Sequence, residues 1–135
     1  MARLHVVALD ARLPAWAETA CAEYAKRMPK GYEVLRLSLK KEKLAGVIGK
    51  NVRTIALDER GKDLTTAQFA ELLKSETAFV IGGADGLDAE VKRNARLLLR
   101  LSSLTLPHAL AQVVLLEQIY RAATLLTGHP YHRGG

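Results

Sequence analysis

The chain has 135 residues, 49% of them apolar and 25% charged, and its 20 Lys and Arg against 14 Asp and Glu give a formal net charge of +6. This length supports one domain, residues 1–135, with a real core. The single cysteine, Cys21, excludes an intramolecular disulfide and fits a reducing cytoplasm. No signal-peptide pattern or run of about 18 apolar residues argues for export or a membrane, while the basic surplus favours a polyanionic partner.

Residues 3–9 (RLHVVAL) predict a first strand, and Pro14 opens a helix reaching about Met28. Leu13, Trp16, Ala17, Ala20, Tyr24 and Met28 recur on one face of that helix, with Cys21 packed among them. Pro29, Lys30 and Gly31 stop it. Residues 32–39 alternate Val34, Arg36 and Ser38 against Leu35, Leu37 and Leu39, as a second strand does. A third strand is expected over 52–57, so the chain from Lys40 to Asn51 must make a short crossover, with Leu44, Val47 and Ile48 as its apolar face.

Asp58-Glu59-Arg60-Gly61-Lys62 reads as a polar turn. Thr65 and Gln68 have capping-box spacing before a helix that presents Phe69, Leu72 and Leu73. Residues 77–81 (TAFVI) form a fourth strand and lead into Gly82-Gly83-Ala84-Asp85-Gly86, and Asp88 is a natural N-cap for the helix that follows. A fifth strand is expected over 97–101, and Pro107 starts a long final helix. Strands alternating with helices predict an α/β fold: a mostly parallel sheet of about five strands with helices on both faces.

In the last helix only Glu117, Arg121 and Thr124, with Gln118 beside them, form a polar stripe, and nearly everything else is apolar. Such a helix must be covered on more than one side, which predicts a homodimer built on it. Two basic clusters, Lys40, Lys41, Lys43, Lys50 and Arg53, and Lys92, Arg93, Arg96 and Arg100, are candidate contacts to a polyanion.

The segment 82–86 lies where α/β proteins bind ligands, at the carboxyl end of a strand, but it is neither GxGxxG nor a P-loop. Residues 102–108 (SSLTLPH) offer an apolar slot with backbone donors and acceptors for a flat heterocycle. His108, His129 and His132 lack the carboxylate or cysteine partners of a metal site, and no Gly-x-Ser-x-Gly elbow marks a hydrolase. Beyond Gly128, the run of Tyr131, His132 and Arg133 suits RNA, supplying a stacking ring, an imidazole and a phosphate clamp.

Taken in order, IGGADGL at 81–87, LSSLTLPH at 101–108, EQIYRA at 117–122 and the terminal HPYHR closely resemble the RlmH-type (YbeA-type) ribosomal RNA large-subunit methyltransferases of the SPOUT superfamily. The resemblance implies a C-terminal trefoil knot, a homodimer, S-adenosylmethionine as cofactor, and N3-methylation of pseudouridine at position 1915 of 23S rRNA in the 70S ribosome. Carried over by motif, Leu57, Gly82, Leu101, Ser102, Ser103, Leu104, Thr105 and Leu106 would hold the cofactor. Gly82 would give the cofactor room where a Cβ would intrude. Tyr131, His132, Arg133 and Arg121 would serve catalysis, with His132 a candidate base and the tail acting in its own or the partner's pocket.

Two departures from the family pattern are visible. The stretch from Lys40 to Asn51 stands where a longer helical insertion is usual, and Gly134-Gly135 extends past the usual end. The shortened crossover keeps in view a catalytically inactive RNA-binding or ribosome-assembly factor on the same fold, and a SPOUT methyltransferase with another RNA target is a further alternative.

Overall fold

The apolar runs become five strands, β1 (Ala2–Leu9), β2 (Tyr32–Leu39), β3 (Arg53–Asp63), β4 (Thr77–Gly82) and β5 (Leu97–Arg100). Every pairing is parallel, and the order across the sheet is β2-β1-β4-β3-β5. The structure, a computed structural model, describes residues 2–49 and 51–133. Lys50 of the first basic cluster and the terminal Gly134 and Gly135 lie outside the described residues.

Helices α1 (Ala15–Lys26), α3 (Thr66–Glu71) and α5 (His108–Thr127) cover one face. There Leu4, Val6, Ile55, Phe79 and Leu99 of the sheet meet Cys21, Phe69, Leu115, Leu116 and Ile119. The opposite face is thinner. Val7, Leu9, Ala56 and Val80 are covered by the short helices α2 (Leu44–Val47) and α4 (Ala89–Asn94), with Leu87 and Val91 buried and Leu44 and Ile48 packed alongside. The period-two alternation along each strand sends successive side chains to these two cores.

Local signals formed as expected. Thr65 and Gln68 make the reciprocal capping box, and the Asp88 side chain accepts from the Val91 amide. The short crossover closes with a single 3-10 turn followed by α2, and Lys41 in that turn reaches Asp88 at 2.5 Å.

Three expectations change. The polar turn at 58–62 is part of β3: after an excursion the strand rejoins β5, so that Leu99 pairs with both Leu57 and Lys62. Trp16 is 56% exposed, because α1 packs through the small Ala17 and Cys21 and the indole falls on the rim of that face. Thr124 is fully buried, its hydroxyl donating to the Arg121 carbonyl and so needing no water.

Among the described residues, α5 alone is long and apolar enough to cross a membrane by length and composition, and half of its most apolar window is buried against the rest of the fold. Core burial accounts for that half.

Candidate functional site

Because the strands are parallel, the carboxyl ends of β3, β4 and β5 meet on one edge, and a cleft of about 490 Å³ opens there. Its size lies within the range of small-molecule sites. Of the eight residues expected to hold a cofactor, Leu57, Gly82, Leu101, Ser102, Leu104, Thr105 and Leu106 line it. Ser103 does not: it is exposed and absent from the wall, since Ser102 Oγ accepts the Leu104 amide at 2.9 Å and turns the segment there. Pro107, His108 and Ala111 carry the wall onto the first turns of α5.

The role of Gly82 differs from the expectation. A Cβ there would sit 2.6 Å from the carbonyl carbon and 2.7 Å from the carbonyl oxygen of Gly86. The glycine makes room for its own loop, which is closed by the Gly86 amide donating to the Gly83 carbonyl at 2.9 Å. The loop so formed is one wall of the cleft.

Only the fold brings the charges of the wall together. Asp58, Glu59, Asp85 and Lys92 all line the cleft, and Lys92 Nζ lies 3.3 Å from Asp58 Oδ1. Asp58 belonged to the supposed turn, and Lys92 to a cluster expected to contact a polyanion.

The basic clusters are partly consumed inside the fold. Arg53 donates to the Leu72 carbonyl and the Thr77 hydroxyl, Lys41 pairs with Asp88, and Arg100 makes two bonds to Asp63. Lys40, Lys43, Arg93 and Arg96 are exposed, all on or beside the elements of the thin face.

The tail forms a second cluster. Gly128 adopts a left-handed conformation at the end of α5, and the His129 amide returns to the Thr124 carbonyl. The chain then folds back along the helix. Tyr131 donates its hydroxyl to Glu117 Oε2 at 2.8 Å, and the same oxygen accepts from Arg121 Nε and Nη2. The Tyr131 ring lies edge-on to Tyr120 at 4.6 Å and beneath the Arg121 guanidinium at 4.8 Å. Burial, then the bond to Glu117, pushes the Tyr131 phenol up to about 12. The Glu117 carboxylate likewise holds the Arg121 guanidinium above its ordinary range.

Arg121 Nη1 also lies 3.3 Å from His132 Nδ1. An arginine only donates, so Nδ1 accepts and the ring hydrogen is placed on Nε2. Tyr131, His132 and Arg121 are thus brought together, while Arg133 is exposed and bonds only back to the Pro130 carbonyl among the described contacts. Glu117, the node of the cluster, was read from the sequence only as part of a polar stripe. Its i, i+4 spacing to Arg121 was the available signal.

The cleft and the tail cluster sit at different points along α5. His108 is at the helix start and Arg121 is thirteen residues on, about 20 Å along the axis at 1.5 Å per residue. Among the described residues, no group of three or more His, Cys, Asp or Glu is arranged to hold a metal ion.

The sequence profile of the family described as "Predicted SPOUT methyltransferase" matches residues 2–132. The chain belongs to the SPOUT methyltransferase family. It is 48% identical to the ribosomal RNA large subunit methyltransferase H of Polynucleobacter asymbioticus over 145 residues, covering 97% of this chain and 99% of the relative. It is 44% identical to the protein of that name from Janthinobacterium sp. (strain Marseille) over 154 residues, with the same coverage. The latter alignment is longer than the chain itself, so the relative carries residues with no counterpart here.

Solved structures share the fold. A putative RNA methyltransferase from Bacillus anthracis superposes with a TM-score of 0.65 at 17% identity, covering 95% of this chain and 96% of that one. The SpoU methyltransferase AviRb from Streptomyces viridochromogenes, solved in complex with AdoMet, gives 0.63 at 13% identity, covering 93% and 58%. The five-stranded parallel sheet is therefore a SPOUT methyltransferase sheet.

Proposed function

We propose that this SPOUT methyltransferase uses S-adenosylmethionine to methylate N3 of pseudouridine 1915 in 23S rRNA, acting in the cytoplasm on the assembled 70S ribosome. The cleft fits such a cofactor on its own chemistry. Leu57, Leu101, Leu104 and Leu106 form an apolar strip for adenine, backbone groups of 101–106 are at hand for its edge, and charges of both signs stand nearby.

The observation that carries the reading is the division of labour along α5. One chain anchors its tail at Glu117 and Arg121, about 9–15 Å along α5 from Ala111 of its own cleft, and the reading takes a second copy to bring a tail to each cofactor. Exposed apolar residues supply a surface for that copy: Leu104 is 75% and Trp16 56% exposed, and Leu110 and Leu125 emerge from α5. The same reading takes residues 1–135 as one domain whose C-terminal segment threads a trefoil knot.

A bound cofactor would supply an electrophilic methyl group, so the residues of this chain would need only to place N3 against it and to take up the N3 proton. Tyr131 stays a phenol near neutral pH, with its hydroxyl already given to Glu117, so it positions the tail rather than accepting a proton. Arg121 and Arg133 offer positive charge to a phosphate or to the developing imidate. His132, held through Nδ1, presents Nε2–H to a substrate oxygen; to take the N3 proton at Nδ1 it must turn from Arg121.

Mass spectrometry of 23S rRNA from a deletion strain, with and without this chain supplied back, tests the target. Methyl transfer to 70S ribosomes by the purified protein tests the assembled substrate. A modification at another RNA position, or cofactor binding without transfer, would replace this reading with one of its alternatives. Light scattering that returns a monomeric mass would remove the shared site.

A further inference from the structure

The charged pair on the cleft wall has no part in the transfer chemistry above, yet its placement selects a ligand group. Asp58 stands just past Leu57, where β3 begins its excursion, and its side chain is only 10% exposed. Lys92 reaches it from α4, with its side chain 32% exposed. Two elements distant in sequence thus set one anion and one cation side by side on the wall of a cofactor-sized cleft. The other charges there are differently engaged: Arg100 is bonded twice to Asp63, and Glu59 and Asp85 are exposed at the rim.

We propose that Asp58 and Lys92 seat the amino-acid end of the cofactor, Asp58 accepting from its ammonium and Lys92 donating to its carboxylate. The inference rests on the cofactor reading above. Its physical basis is pairing. A half-buried ion pair opens at low cost only for a ligand that gives each ion a new partner, because a stranded charge away from water is strongly unfavourable. A phosphate would satisfy Lys92 and strand Asp58; a simple amine would do the reverse. A zwitterion exchanges one ion pair for two. The existing contact is also loose, 3.3 Å against the 2.7–2.9 Å usual for a charge-assisted bond, so little is lost when it opens.

Titration calorimetry on the full chain with two ligands isolates this contact. S-adenosylhomocysteine carries the amino-acid end, and methylthioadenosine has the same adenosine thioether without it. Lys92→Met and Asp58→Asn should each weaken S-adenosylhomocysteine about tenfold or more while leaving methylthioadenosine within about twofold, since each removes one charge-assisted contact to the amino-acid end. Equal losses for both ligands would mean that the pair merely shapes the cleft and would overturn the proposal. So would unchanged affinity for both. Lys92 is the more exposed partner, so Lys92→Met carries the test if Asp58→Asn loses its native circular dichroism. Failure of the unaltered chain to bind either ligand would overturn the cofactor reading itself.

Discussion

Gly82→Ala separates two reasons for a glycine at the cofactor cleft. If Gly82 exists to give a ligand room, alanine lowers affinity and leaves the empty fold untouched. If it exists to let its loop close, alanine destabilises the fold before any ligand arrives. The geometry favours the second: the added methyl meets the Gly86 carbonyl carbon at 2.6 Å and the Leu87 amide nitrogen at 3.0 Å, both backbone atoms. Ordinary contact begins at 3.4 Å, so the 83–86 turn must retreat by about 0.8 Å against its own hydrogen bond. Overpacking of this kind costs about 1–3 kcal/mol. For a chain of this size that lowers the melting temperature by roughly 4–12 °C. Gly86→Ala is the control. It meets nothing within 4 Å and bears only the cost of φ +73°, about 1–2 kcal/mol. Thermal unfolding without ligand, followed by calorimetry with S-adenosylhomocysteine, reads both quantities. A Gly82→Ala protein that melts like the original but binds no cofactor would refute the argument and restore the ligand-room explanation.

Three further outcomes follow from the tail and from the edge of the sheet. His132→Ala should spare cofactor affinity and depress turnover. His132→Gln, which keeps a donor, should recover part of the loss if Nε2–H contacts the substrate, whereas equal inactivity of both variants in a methyl-transfer assay would favour a base. Tyr131→Phe removes a bond to a carboxylate worth about 1.5–3 kcal/mol but keeps the contacts to Tyr120 and Arg121. It should therefore reduce turnover by about tenfold or more without shifting cofactor affinity, and an unchanged rate would show that the hydroxyl does not position the tail. Glu18 receives two bonds from Arg36, which hold its carboxyl below the usual 4.5. Its stabilising effect is complete above that value and disappears as pH falls through the lowered one. Denaturant unfolding should show Glu18→Gln less stable at pH 7 by about 1 kcal/mol, since Glu18 is largely solvated although Arg36 is mostly buried, with the difference closing below pH 4.5. A pH-independent difference would assign the effect to packing.

What the sequence made legible were features decided by neighbours in the chain. The Thr65–Gln68 box and the Asp88 cap involve residues three apart, and the alternation of residues 32–39 needs no knowledge of the partner strand. The misreadings share the opposite cause. Residues 58–62 are polar enough to be a turn, and only pairing with β5, some forty residues on, returns them to the sheet. Lys92 looks like one of several surface cations until the fold sets it against Asp58. Thr124 looks polar until its hydroxyl finds a carbonyl within its own helix. In the tail, the functional residue types were visible, but the Glu117 anchor that fixes their positions was not.

The short crossover bears on the cleft through Lys41. With only a 3-10 turn and the four-residue α2 to cover the thin face, the segment has little apolar area with which to hold itself against the sheet. Lys41 supplies a tie to Asp88, which accepts it while also capping α4 through the Val91 amide. Both bonds hold the Asp88 carboxyl below its ordinary range, Lys41 first. Asp88 follows the 82–87 wall directly, and Lys92 lies one turn further along the same helix. One residue therefore joins the crossover, the 82–87 loop and the helix that presents Lys92. The pair is exposed, so its contribution to global stability is small. Its consequence is geometric: loosening α4 moves Lys92 relative to Asp58, and a seat made from two ions tolerates little such movement. A shorter crossover thus need not weaken the cofactor site, provided that this contact replaces the packing that a longer segment would bring.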